Sequence, residues 1–178
     1  MQLTIGQKVA YPNQGVCLVE RKELREVGGC ECSVFALRVL KDDSLIFIPA
    51  DNVDSVGLRP LINRSQCKRL MGALADSIEP ASRDWKVRIR EFTGKLQSGD
   101  VFAAADVFKK LALLSREKSL SFREQNMLER AKVLVVTEIA NIHAKKPDAV
   151  ETEVVSLVDR ACSRSLPNGS QQLSAAGH

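Results

Sequence analysis

The chain has 178 residues, 44% of them apolar, with 26 Lys and Arg against 22 Asp and Glu. That is enough apolar material for one large domain or two small ones without covalent staples. Its apolar runs are too short to cross a bilayer, and the opening MQLTIGQKVAYP lacks the basic start and long apolar stretch of a secretion signal, so a cytoplasmic protein with no membrane association is expected.

The first sixty residues read in period two. QKVAY is followed by the turn material PNQG, then VCLVERKELR, VGG, ECSVFALRVL, KDDS and LIFIP. Phe35, Leu37 and Val39 alternate with Val34, Ala36 and Arg38, so one face of that strand can be buried while the other stays mixed. Pro12 and Gly15 separate the first strand from the second. Four or five short strands joined by tight turns predict a small β-barrel over residues 1–60.

After GLRP the pattern turns helical. Ser65 is a candidate cap for a helix through QCKRLMGALA, SIEPAS reads as a loop, and Ser82 is a candidate cap for RDWKVRIREFTGKLQ, which should end near Gly99. Asp100 opens a third helix, VFAAADVFKKLALLSREK. Ser121 with Glu124 has capping-box spacing ahead of FREQNMLERAKVLVVTEIANIHAKK, and Asp148 with Glu151 repeats it before AVETEVVSLVDRACSR. Five helices over residues 61–164 are therefore expected, followed by a polar tail, 165–178, with little to bury and a disordered character. The fold class predicted is α+β, strands first and helices second.

Five cysteines (Cys17, Cys30, Cys32, Cys67, Cys162) cannot all pair within one chain, which suits a reducing compartment. Cys30 and Cys32 make half of a zinc site with no second half, so they read as small apolar residues on one face of a strand, and no metal is expected. Catalytic patterns are equally scarce. There are two histidines, one of them terminal, no Gly-rich phosphate loop and no nucleophile elbow; Asp42 and Asp43 sit in a turn where aspartate is ordinary. The chain reads as a non-enzyme without a cofactor.

Charge is unevenly placed. Residues 63–150 hold 17 Lys and Arg against 11 Asp and Glu, whereas residues 1–62 hold 7 against 8. An acidic partner for the middle segment, nucleic acid above all, competes with the plainer reading of a solvated helical surface. The same choice attaches to DWKVRIR, which holds the one tryptophan. Trp85, Ile89, Phe92 and Leu96 share one helical stripe, which favours packing, with Arg83, Lys86 and Arg90 opposite; but Trp85 lies in the first turn, where a ring can overhang the core and meet a partner.

Several motifs together resemble the CarD/CdnL family of bacterial transcription factors. IGQKVAYPNQGVCLVE is similar to that family's opening strand and turn, and IFIPADNVDSVGLRP to its closing strands. DW ahead of basic residues, KLQSGD and LSFREQNMLERAKVLVVTEIA resemble its helical domain, so the likeness runs from about residue 3 to 160. It implies a Tudor-like barrel that binds the RNA polymerase β subunit and a helical domain that touches promoter DNA at the upstream edge of the melted bubble. Trp85 matches the family's wedging tryptophan, with Lys86, Arg88 and Arg90 as candidates for phosphate contacts. Arg25 matches a polymerase-contacting position. Phe47 stands where some relatives carry arginine, so an apolar contact is the expectation there. Leu114 and Gln125 replace basic residues of some members, shifting the expected phosphate grip to Arg116 and Arg123. The tail lacks the Arg-Gly-Arg-Pro repeats of the AT-hook members, which points to the compact CdnL-like type.

The resemblance implies a monomer that stabilises open promoter complexes, at ribosomal RNA and other housekeeping promoters. The competing expectation is a polymerase-binding or other protein-interaction module whose helices only form a scaffold.

Overall fold

A computed structural model describes residues 1–166 of the chain. Five strands come first: β1 (Lys8–Tyr11), β2 (Gly15–Val27), β3 (Cys30–Val39), β4 (Leu45–Pro49) and β5 (Arg59–Pro60). They form one antiparallel sheet in the order β4-β3-β2-β1-β5. The order leaves β4 and β5 as the edges of an open sheet. Gly28 and Gly29, both with positive φ, make the two-residue turn between β2 and β3 that only residues tolerant of the left-handed region make cheaply. The period-two pattern is realised as read: Val9, Cys17, Val19, Phe35, Leu37, Val39 and Ile48 point into one cluster, closed by Val53 and Leu58.

Five helices follow: α1 (Arg64–Ala75), α2 (Trp85–Gln97), α3 (Val101–Glu117), α4 (Phe122–His143) and α5 (Pro147–Ser165). Strands first and helices second is the α+β order the sequence predicts. Helix α3 is the most apolar of the five and lies against each of the other four. Its Val107, Phe108 and Leu111 join Leu70 and Leu74 of α1, Phe92 of α2, Val135 and Ile139 of α4, and Val154 and Val158 of α5 in a second core separate from that of the sheet. None of the described helices is long and apolar enough to cross a membrane.

The caps differ from expectation at three of five helices. Asp100 and the Ser121–Glu124 capping box act as predicted. Helix α1, however, is capped by Asn63, whose side chain accepts from the Gln66 N–H while the Gln66 side chain accepts from the Asn63 N–H. Helix α2 is capped by Asp84 rather than Ser82, its carboxylate accepting from the Lys86 and Val87 N–H groups. Helix α5 has no side-chain cap. Pro147 starts it, because proline fixes the helical φ and has no N–H to satisfy, and Asp148 therefore falls inside the first turn. At the other end Ser165 still belongs to α5, and its hydroxyl accepts from the Ile78 N–H at 2.9 Å. Residue 165, expected in the tail, therefore belongs to the helix; residues 167–178 of the expected tail lie outside the described part of the chain.

The sheet and the helices meet at the turns. Gly99, between α2 and α3, has φ +75°, and a Cβ there would come within 2.9 Å of Pro12 Cγ in the β1–β2 turn. Gly99→Ala should therefore destabilise the protein by about 2 kcal/mol or more, from left-handed strain plus overpacking against a rigid ring. Gly94, in the exposed interior of α2 with open space where a methyl would go, gives the opposite result: Gly94→Ala should stabilise by about 0.5–1 kcal/mol. Urea unfolding of the two variants checks both signs.

Candidate nucleic-acid interface

The wheel places Trp85 on the stripe of Ile89, Phe92 and Leu96, yet only those three are buried; Trp85 is 60% exposed. The reason is its position. As the first residue of α2, directly after the Asp84 cap, it lies one turn beyond the point where the helix meets its neighbours. Val87 is also exposed, and the Lys86 ammonium lies 5.8 Å from the Trp85 ring centroid. Arg83, Lys86 and Arg90 are exposed and have no carboxylate partner among the described residues.

Arg88 departs from expectation. It is 2% exposed, so it is not a phosphate contact. Its Nε and Nη2 donate to Glu124 Oε1 at 2.9 and 2.6 Å, and its Nη1 donates to the Ser82 carbonyl at 2.6 Å and to that of Arg83 at 3.3 Å. The other oxygen of Glu124 accepts from the Ser121 N–H and hydroxyl, both at 2.9 Å. A long basic side chain one turn into α2 thus ties the 82–83 loop and the first turn of α4 together beneath the exposed tryptophan. Burial pushes the Glu124 carboxyl up, but the Ser121 N–H, the Arg88 hydrogen bonds and the Arg88 charge outweigh it and hold the group below its ordinary value.

That tie brings a second aromatic to the same end of the bundle. Phe122, the first residue of α4, is 79% exposed. No motif in the sequence singles it out, and a wheel does not either, since α4 also buries Ala140 and Val136 on the same side as Phe122 farther along. Alongside, α2 and α4 border a cleft of about 490 Å³ whose lining includes Arg123, Arg130, Asn126, Gln97, Leu96 and Met127. Arg123 and Arg130 are exposed and have no carboxylate partner among the described residues. Arg116, the other expected grip, is instead paired with Asp159 of α5 at 2.7 Å.

On the sheet, Arg25 and Phe47 prove to be one unit. The Arg25 guanidinium lies 3.6 Å from the centroid of the Phe47 ring, and its Nε donates to Glu23 at 2.5 Å. Arg25 reaches from β2 past β3 to stack on a residue of the edge strand β4. Such a cation over a ring is held in a defined place before any partner arrives. Cys30 is exposed and Cys32 half-buried, both as free thiols, and no group of three or more His, Cys, Asp or Glu side chains suited to a metal occurs among the described residues.

Removing one member of a buried ion pair leaves the other charge uncompensated, so Arg88→Ala should cost about 3–5 kcal/mol of stability, while exposed Arg90→Ala stays within about 0.5 kcal/mol. Chemical denaturation of the two variants separates the supporting arginine from the surface one. Because the folded carboxyl of Glu124 lies below its ordinary 4.5, its contribution is complete above that pH and is lost as pH falls through the lower folded value. The stability gap between wild type and Glu124→Gln should accordingly close on acidification.

Comparison with known proteins identifies both parts of the chain. The profile described as CarD-like/TRCF RID domain matches residues 3–62, and that described as CarD, C-terminal domain matches residues 69–155. The chain is 24% identical over 135 residues to YdeB of Bacillus subtilis (strain 168), provisionally named a transcription factor, across 76% of this chain and 88% of that protein. It is 36% identical to the 72-residue N-terminal domain of Myxococcus xanthus CarD in its solution NMR structure, covering 33% of this chain and 79% of that one with a TM-score of 0.29. With both domain profiles matched in order along one chain, the protein belongs to the CarD/CdnL family of transcription regulators, which are not enzymes.

Proposed function

We propose that the protein is an adaptor that binds the RNA polymerase β subunit through its first sixty residues and uses its helices, residues 61–164, to hold promoter DNA open. The observation that carries this reading is the exposed indole of Trp85, standing on a buried ion pair rather than in the core. A scaffold helix has no use for an uncovered tryptophan at its tip. An apolar ring inserted between base steps exchanges unstacking for a distorted duplex, and at the edge of a melted bubble the polymerase has already supplied much of that unstacking. Before the strands can reanneal, the ring must leave.

Lys86, 5.8 Å from the ring centroid, and the exposed Arg83 and Arg90 on the other side of the same helix start hold phosphates, which fixes position without reading sequence. Arg88 acts through Glu124 as the support beneath them. Arg123 and Arg130 extend the positive surface along the α2/α4 cleft. On the polymerase side, the edge strand β4 suits pairing with a strand of the partner, and the stacked Arg25–Phe47 pair supplies selectivity beside it. The protein works as a cytoplasmic monomer, at ribosomal RNA and other housekeeping promoters.

The test is the lifetime of competitor-challenged open complexes. Wild type should lengthen it, and Trp85→Ala should lose at least about fivefold of the effect, the smaller end of the roughly 1–3 kcal/mol carried by one aromatic–base contact. Equal lifetimes for wild type and Trp85→Ala would remove the wedge. Arg25→Ala and Phe47→Ala should each weaken capture by the β subunit, and both should do so to a similar extent because each undoes the same stack. Affinity of the isolated protein for DNA should be weak and should fall steeply with salt.

A further inference from the structure

Only three residues separate β5 from α1, and the side chains at that junction are tied to the middle of the helical bundle. Arg59, in β5, donates from Nη1 and Nη2 to the two carboxylate oxygens of Glu138 at 2.7 and 2.8 Å, and from Nε to the Gly99 carbonyl at 2.8 Å. Glu138, in α4, is 3% exposed and also accepts from the Ile62 N–H at 3.0 Å. Arg59 is its one cationic partner among the described residues. Nearby contacts follow the same seam: Lys8 donates to the Asn141 side chain at 2.7 Å, and β2 approaches α4 so closely at Gly15 that a Cβ there would lie 3.4 Å from Leu134 and 3.5 Å from Thr137.

Glu138 is one of two buried glutamates of α4, and the other is Glu124. Fourteen residues apart, they lie about 21 Å from each other along the helix and within about 40° of the same face. One braces Arg88 beneath Trp85. The other braces Arg59, where the chain leaves the sheet.

We propose that the Arg59–Glu138 pair is a latch that makes the sheet and the helical bundle one rigid body, with α4 as the strut between the β5 side of the sheet, opposite the polymerase-binding edge β4, and the Trp85 tip. Two small domains joined through a modest polar interface ordinarily move relative to each other. Here, parting them strands a buried carboxylate without its cation, together with the Ile62 N–H and the Gly99 carbonyl. Arg59 and Glu138 are positioning residues: they touch neither DNA nor polymerase, and they set where the tip stands once the sheet is docked. This functional consequence rests on the adaptor reading; the rigidity does not.

The experiment uses the full chain. Backbone ¹⁵N relaxation should give a single rotational correlation time for the amides of the sheet and of the helices in wild type, and two distinct times in Arg59→Ala. Glu138→Gln, which keeps the side-chain shape, should give the same separation if Arg59→Ala folds poorly. Two correlation times in wild type, or unaltered tumbling in both folded variants, would overturn the latch. With polymerase added, the freed tip should lower the gain in open-complex lifetime about tenfold if the competent arrangement is populated about one-tenth of the time, while capture by the isolated β subunit stays at the wild-type level. Undiminished lifetimes in a variant that tumbles as two bodies would overturn its role in positioning. If wild type itself fails to lengthen the complexes, the adaptor reading falls and the relaxation result still decides the latch.

Discussion

The buried ion pair between Arg88 and Glu124 is the interaction on which the working end of the molecule depends. Glu124 serves two masters at once, closing the capping box of α4 with one oxygen and receiving Arg88 with the other. Arg88 in turn takes up the Ser82 and Arg83 carbonyls of the loop that leads into α2. Two helix starts and one loop are thereby joined at a single carboxylate, and the residues just ahead of it in each helix, Trp85 and Phe122, are left outward. Each is the first residue of its helix, beyond the turn that the neighbouring helices cover.

The same logic recurs about 21 Å along α4 at Glu138. Buried ion pairs add little net stability over apolar substitutes, but they fix geometry, since misplacement leaves a charge without its partner. Helix α4 carries one such pair at its start, beneath Trp85, and another where the sheet hands the chain to the helices. On the proposed adaptor reading, which needs Trp85 at one spot on melted DNA while the sheet is docked on polymerase, fixed geometry is the property that counts.

Much of the fold was legible in the residues. The alternation of Phe35, Leu37 and Val39 against their neighbours, the Gly28–Gly29 turn, and the capping box at Ser121 each has a local cause that acts before tertiary structure forms. Asn63 and Asp84 compete for capping with Ser65 and Ser82, and which side chain faces a free N–H is decided by how the chain enters the helix, not by residue type alone. Pro147 displaced the expected Asp148 cap because a fixed φ needs no side-chain acceptor to start a helix. At the site, the position of Trp85 at the first turn gave fair warning of its exposure. Arg88 gave a partial one: three residues from Trp85 and four from Phe92, it falls beside the apolar stripe and away from Arg83, Lys86 and Arg90, but its partner lies 36 residues away. Phe47 was readable as an apolar replacement, but its stacking beneath Arg25 depends on strand register across β3.

The accessibility of the Trp85 indole before and after engagement tests the account most directly. With 5-hydroxytryptophan incorporated in place of tryptophan, the single probe can be excited apart from the tryptophans of polymerase, and collisional quenching by acrylamide can be followed in the free protein and in the open complex. Ready quenching is expected in the free protein and strong protection once the promoter is melted, with no protection in a complex of the protein and polymerase lacking DNA. A probe already shielded in the free protein, or one that stays equally open to quencher in the open complex, would contradict it.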